Sequence, residues 1–234
     1  ILTTHVGSLP RSKELSKFLF AKDKGEKFSQ SSFDEVLKNN VESVVKKQLD
    51  VGIDFVSDGE MSKISYATYI KDRIDGFSGE SERRAPADLD DFPEYKEKIA
   101  KSGGTPTYTR PCCTNELKVK DETSLLQDIN NFKNSLDKLN HRHAFMNSAS
   151  PGVINVFMPN KFYSTEDEYL DKLSNIMAKE YELITKSDIQ VQLDCPDLAL
   201  ARHMNFKNLS EDEFIKRAEL QIECLNSALS NVDV

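Results

Sequence analysis

Apolar residues recur along this chain in two alternating patterns, short strand-like runs and longer stripes at helical spacing. Ile1 to Val6 reads as a first strand running into Gly7-Ser8. Leu37, Val41, Val44, Val45 and Leu49 fall on one stripe and predict a helix from about Phe33 to Val51. Ser32 and Glu35 make an S-x-x-E capping box at its start, and Gly52 marks its end. Ile53 to Ser57 is the second expected strand, followed by a helical stretch near Tyr66 to Ile74. Glu116 to Lys120 gives a third strand, and Leu126, Ile129, Phe132, Leu136 and Leu139 form the apolar face of a helix over Leu125 to Leu139. Ala144 to Ala149 is the fourth strand. A helix from Glu166 to Ser187, with Thr165 as its cap and Glu168 at the third helical position, leads into a fifth strand over Ile189 to Leu193. Ser210 and Glu213 box a last helix from Glu211 to Leu229, and Val232-Asp233-Val234 reads as a linker toward a sixth strand.

Strands alternating with helices mark an α/β protein with a parallel sheet. Five units of this kind cannot close on themselves, whereas an eight-stranded barrel needs about 250 residues. The expectation is therefore a (β/α)8 barrel of which this chain holds about the first five units, residues 1–234 being the N-terminal part of one domain. Residues 76–110 are rich in charge, Gly and Pro (Ala85-Pro86, Phe92-Pro93, Gly103-Gly104, Thr105-Pro106) and read as an irregular insertion over one end of the barrel.

Composition narrows the function classes. A hydrophobic fraction of 38% supports a sizeable core, and a net charge of −8 argues against a general nucleic-acid binder. No apolar run reaches the length of a membrane span, and the first residues carry no signal-peptide pattern. The four cysteines, Cys112, Cys113, Cys195 and Cys224, lack a structural-zinc spacing, and a reduced, cytoplasmic setting fits them. The phosphate-binding loops G-x-x-x-x-G-K-[ST] and G-x-G-x-x-G and the nucleophile elbow G-x-S-x-G are all absent from the sequence.

In a barrel, functional groups gather at the C-terminal ends of the strands. Polar residues mark four such ends here: His5-Val6-Gly7-Ser8, Ser57-Asp58-Gly59-Glu60, Asn147-Ser148-Ala149-Ser150 and Asp194-Cys195-Pro196-Asp197. Each has a plainer reading, since strand-end glycines permit turns and a lone His5 is more often a packing residue than a ligand. Asp58 and Glu60 stand two apart, so in an extended segment they share a face, one solvated and the other toward the mouth. His141-Arg142-His143 precedes the fourth strand and reads as a solvated turn at the opposite end. Cys195 and His203 are only two potential zinc ligands, and a site needs three or four.

Thr3-Thr4-His5-Val6-Gly7-Ser8-Leu9-Pro10-Arg11, Gly52-Ile53-Asp54 with Ser57-Asp58-Gly59-Glu60, and Gln192-Leu193-Asp194-Cys195-Pro196-Asp197-Leu198 resemble, in order and spacing, the catalytic barrel of the cobalamin-independent methionine synthase family. That resemblance extends to the short synthase-like proteins and epoxyalkane–coenzyme M transferases, within the superfamily that also holds uroporphyrinogen decarboxylase. It implies zinc-dependent transfer of a methyl or alkyl group to a thiol such as homocysteine, from a donor such as a methylated folate. It also implies that the backbone at Val6, Gly7 and Ser8 holds the acceptor's carboxylate, and that Glu60 and Asp194 pair with its amino group. His5, Asp58, Ser148, Cys195 and Asp197 would line the site. The family's zinc ligands, a His-x-Cys pair and later residues, would fall beyond Val234. Cys195 stands where the synthase has Glu, and His5 where it has Thr, which brings this chain closer to the short relatives and leaves acceptor and donor open. The other readings are a decarboxylase-like barrel, for which the strand ends are too acidic, and a non-catalytic binding protein.

Overall fold

The computed structural model describes residues 1–82, 87–101, 108–120, 122–139 and 143–232. The expected turns at Ala85-Pro86, Gly103-Gly104 and Thr105-Pro106, the residues His141-Arg142, and Asp233-Val234 lie outside them. In chain order the elements are α1 (Lys13–Asp23), α2 (Gln30–Asp50), β1 (Phe55–Ser57), β2 (Ile74–Ser78), α3 (Pro93–Lys101), β3 (Cys112–Val119) and α4 (Thr123–Lys138). There follow β4 (His143–Ala149), α5 (Pro151–Phe157), α6 (Glu166–Thr185), β5 (Gln190–Asp194), α7 (Leu200–Met204) and α8 (Glu211–Ala228).

β1, β4 and β5 form one parallel sheet in that order, and Thr4 bridges Phe55 in the same sense. The first segment thus runs beside β1 without forming a full strand, and four neighbouring positions of a parallel barrel wall are occupied. The expected third strand is the main departure. Cys112–Val119 pairs antiparallel with β2 in a separate two-stranded sheet, so it is not part of that wall. Its inward side chains explain this: Leu117 and Cys113 pack with Ile74 in a hydrophobic cluster with α5 and α6 instead of facing a bore. β2 also replaces the end of the helical stretch expected over Tyr66 to Ile74, which shrinks to a 3-10 turn at Thr68–Asp72. The segment expected to be irregular holds the last residues of β2, a 3-10 turn at Ala87–Asp91 and α3.

The register Phe55↔His143, Ser57↔Phe145, Asn147↔Gln192 and Ala149↔Asp194 puts Ser57, Asn147, Gln192 and Asp194 on one face of the sheet. Val56, Met146 and Val191 alternate onto the other face and meet α2 and α4 through Val41, Val45, Ile129 and Phe132. The polar face is thus the barrel interior and the apolar face the helix layer. Burying each large aliphatic side chain in that layer contributes about 1.5–3 kcal/mol before entropy is counted.

Helix starts follow local chemistry. Thr165 caps α6 through the Glu168 amide, and Ser210 with Glu213 forms the expected capping box of α8. The capping box expected at Ser32 is displaced: α2 begins earlier, and Ser29 is the residue whose side chain accepts from the Ser32 amide. Near the far end of α2, Gln48 does something its position on an apolar helix face does not announce. Its amide donates to the Ser57 carbonyl at 2.8 Å and accepts from the Ser57 N–H at 3.0 Å. It thereby satisfies the backbone of β1 where the first segment has diverged.

Gln48→Leu leaves both Ser57 groups buried without partners. It is expected to destabilise the fold by about 1–3 kcal/mol in chemical denaturation, whereas Leu at the exposed neighbour Lys47 stays within about 0.5 kcal/mol of the parent. Equal effects at the two positions would refute this role for Gln48.

Candidate functional site at the strand ends

The turn after β1 is built by its own side chains. Asp58 accepts the Glu60 amide at 3.0 Å, and Ser57 Oγ accepts the Gly59 amide at 3.2 Å. Gly59 and Glu60 both take positive φ, 63° and 54°. Such a backbone costs a non-glycine residue on the order of 1 kcal/mol, so something must hold Glu60 there. Arg11 does so: its Nη2 donates to the carbonyls of Glu60 and Lys63, each at 2.7 Å. The expected period-two relation of Asp58 and Glu60 therefore does not apply, because the chain is not extended. Both carboxylates are buried, neither is solvated, and burial pushes Asp58 above the ordinary carboxylate range, partly offset by Lys63.

Ser8 reaches this turn from the first segment, its hydroxyl donating to Glu60 Oε2 at 2.6 Å. Gly7, at φ 88°, allows the chain to double back after Val6, which is itself exposed. The other Glu60 oxygen, Oε1, is buried with no hydrogen-bond partner. On the interior face, Asn147 Nδ2 donates to Asp194 at 3.2 and 3.4 Å. Lys63 joins the two halves, its Nζ bonded to the Asn147 carbonyl and lying 4.4 Å from the centre of the Tyr69 ring. Burial pushes the Tyr66 hydroxyl up to about 12, with smaller upward contributions from Tyr108, Asp194 and Glu60.

The remaining expected residues divide. Ser148 turns away from the mouth: its hydroxyl donates to Glu180 at 2.7 Å in a buried network with Tyr69 and Arg73. Asp197 is buried against α5, accepting from Ser150 Oγ at 2.8 Å. Cys195 is half-buried, and burial together with the Asp197 charge raises its thiol pKa, which disfavours a thiolate. His5 lines a groove of about 410 Å³ with Leu9, Arg11, Asn40 and Lys47. His203 is exposed on α7, and His143 begins β4 stacked on Phe55 at 4.3 Å. Lys63 and Tyr66 lie outside the sequence motifs, and Arg11, which ends the first motif, carries no role that the motif itself announces. The only signal for them is position, within a few residues of strand-end motifs.

Among the described residues, no three His, Cys, Asp or Glu side chains are grouped so as to hold a metal ion. The zinc that the sequence resemblance implies would take its ligands from beyond Val234, and the described residues offer no set of their own.

A partial α/β barrel wall whose strand ends carry an acidic, amide-bearing cleft is the class this structure defines. Residues 1–86 match the family described as cobalamin-independent synthase, catalytic domain. The methionine synthase of Sulfolobus acidocaldarius is 24% identical over 99% of this chain and 58% of its own length. A 5-methyltetrahydropteroyltriglutamate–homocysteine methyltransferase of Bifidobacterium longum is 32% identical over 32% of this chain and 10% of its own. In structure, a B12-independent methionine synthase from Shewanella sp. W3-18-1, in complex with selenomethionine, superposes with a TM-score of 0.68 at 15% identity, over 99% of this chain and 58% of that one. The chain is thus similar to cobalamin-independent methionine synthases, its first 86 residues through the family model and its whole length through the fold, and it spans somewhat more than half the length of the relatives it matches end to end.

The packing of Asp197 gives a direct test of this geometry. A Cβ on Gly152 would lie 2.1 Å from Asp197 Oδ2 and 3.2 Å from Gln221 Cδ. Gly152→Ala is expected to cost about 1–3 kcal/mol by thermal or chemical denaturation, and Asp197→Ala in the same chain to recover most of it. Additive losses would mean that the two residues do not touch.

Proposed function

We propose that this chain carries the acceptor-binding part of a methyltransferase that methylates a thiol amino acid, homocysteine by similarity to its relatives. One observation carries the reading: Glu60 Oε1, in the turn after β1, is a buried carboxylate oxygen without a donor among the described residues, on the same end of the sheet as the Asp194 carboxylate of β5, with β4 between them. A buried charged acceptor of this kind is costly unless a cation supplies the missing hydrogen bond. The ammonium of an amino acid does so, and the turn at Val6, Gly7 and Ser8 offers its main chain to the carboxylate. Ser8 and Arg11 keep Glu60 in place while its second oxygen takes the ligand.

The methyl donor, by the same similarity, is a methylated pteroylglutamate. Zinc activation of the acceptor thiol belongs to the resemblance, and the described residues offer no donor set for the ion. What these residues perform is binding and orientation: they fix the amino-acid end, so the thiol projects at a defined distance from it. Fixing a reactant in this way converts part of the entropy cost of reaction into binding energy. The acidic strand ends oppose the alternative of a polycarboxylate substrate.

L-homocysteine should bind more tightly than 4-mercaptobutanoate, which lacks only the amine, and Glu60→Gln should abolish most of that preference, about ten- to a hundredfold by calorimetry. Burial holds Asp194 above the ordinary carboxylate range, against the opposing effects of Asn147 and Lys63. A raised carboxyl is ionised only above its raised pKa. Homocysteine affinity should therefore start to fall at a higher pH than an ordinary Asp would give, and Asp194→Asn should flatten that limb. Equal binding of the two thiols by the parent chain would overturn the reading.

A further inference from the structure

Among the described residues, two buried acceptors at the strand ends lack partners: Glu60 Oε1 and Asn147 Oδ1. Asn147 is 1% exposed, and its Oδ1 has no hydrogen-bond partner. The orientation of this amide follows from its neighbour: Asp194 accepts hydrogen bonds from its Nδ2, so the oxygen must point elsewhere. Buried side-chain amides are normally hydrogen-bonded at both ends, and among the described residues this one is bonded only through its nitrogen. An ammonium has three N–H donors. Glu60 Oε1, the Asp194 carboxylate and Asn147 Oδ1 supply three acceptors of the matching kind.

These groups come from the turn after β1 and from the ends of β4 and β5, and Lys63 links the first two. It follows Glu60 by three residues, with its own amide donating to the Glu60 carbonyl at 3.1 Å. Its side chain crosses the interior to the Asn147 carbonyl, with the aliphatic stem covered and only 3% of the residue exposed. The Glu60 turn is thus clamped to the end of β4, and through the Asn147 amide to the end of β5. Burial raises Asp58 and Asp194, and the Lys63 charge opposes the rise at both, so the clamp also favours their ionised forms.

We infer that Asn147 is a further ligand-binding residue, its amide oxygen taking the third N–H of the acceptor's ammonium, with Lys63 as the positioning residue that aims it. This rests on the reading of the cleft as an amino-acid site. It adds a selectivity: the cleft is built for a primary ammonium, because a secondary amine has one N–H too few for three acceptors.

The test is calorimetric titration of the 234-residue chain with L-homocysteine, N-methyl-L-homocysteine and 4-mercaptobutanoate. The parent should prefer the primary amine over its N-methyl form. Asn147→Ala should weaken L-homocysteine roughly tenfold, as loss of one hydrogen bond to a charged group does, and leave 4-mercaptobutanoate unchanged. Lys63→Met should show the same ligand-selective loss, with Lys63→Arg restoring most of it. Near-UV circular dichroism identifies any variant that fails to fold, and either single substitution then decides the matter alone. Should the folded variants bind L-homocysteine like the parent, or lose both thiols equally, the role of Asn147 is overturned while the amino-acid site stands. A parent that does not distinguish homocysteine from 4-mercaptobutanoate removes the site itself.

Discussion

Arg73 carries a full positive charge into the interior between the sheet and the helices, and the elements around the strand ends are arranged to compensate it. Its guanidinium meets Asp128 of α4 at 2.6 Å and Glu180 of α6 at 2.7 Å, and stacks 4.9 Å from the centre of the Tyr69 ring. A buried ion pair repays its desolvation only when the remaining lone pairs are satisfied. Here Glu180 also accepts from Tyr69 and Ser148, and Asp128 from Ser62 at 2.8 Å. The two carboxylates do not fare alike. Burial would raise Glu180, but Arg73, Lys63 and two hydroxyls outweigh it and leave it lowered. Asp128, with fewer donors and Asp58 nearby, stays raised by burial. Glu180 is therefore the firmer of the two anchors, and it is the one tied to the end of β4.

That anchor explains why the strand ends can hold so much charge. Ser148 faces the helix layer and is locked to Glu180, which fixes the backbone of β4 one residue beyond Asn147. Lys63 then approaches the same backbone from the interior side. The wall is pinned from both faces, so the acidic groups lining the cleft are held in place without having to pair with each other. A cleft that keeps buried acceptors unpaired must draw its rigidity from elsewhere.

The alternation of strands and helices was readable because helices packed on a parallel sheet leave apolar stripes, as at Val41, Val45, Ile129 and Phe132. The antiparallel pairing of Cys112–Val119 was not readable in this way. A short run with one buried face looks the same in either kind of sheet, and only its partner, β2, decides. α5 was equally hidden: Pro151–Phe157 is buried all round and has no polar stripe. In the site, Glu60 and Asp194 stood out because carboxylates beyond apolar strands are conspicuous. Asp58, Ser148 and Asp197 stood out for the same reason, yet they serve the turn, the Glu180 network and the α5 contact. Which way a strand-end side chain points depends on one residue of register and on the left-handed turn at Gly59 and Glu60. Lys63 lay outside any motif, and the role of Arg11 was not readable within its motif, because both side chains reach backbone carbonyls distant in sequence.

A crystal structure of the chain with L-homocysteine bound shows directly where the amino group sits. The ammonium is expected within hydrogen-bond distance of Glu60 Oε1, Asn147 Oδ1 and Asp194, with the carboxylate on the turn at Val6, Gly7 and Ser8. A bound ligand whose ammonium points to solvent, with Glu60 and Asn147 turned toward other protein groups, would contradict it.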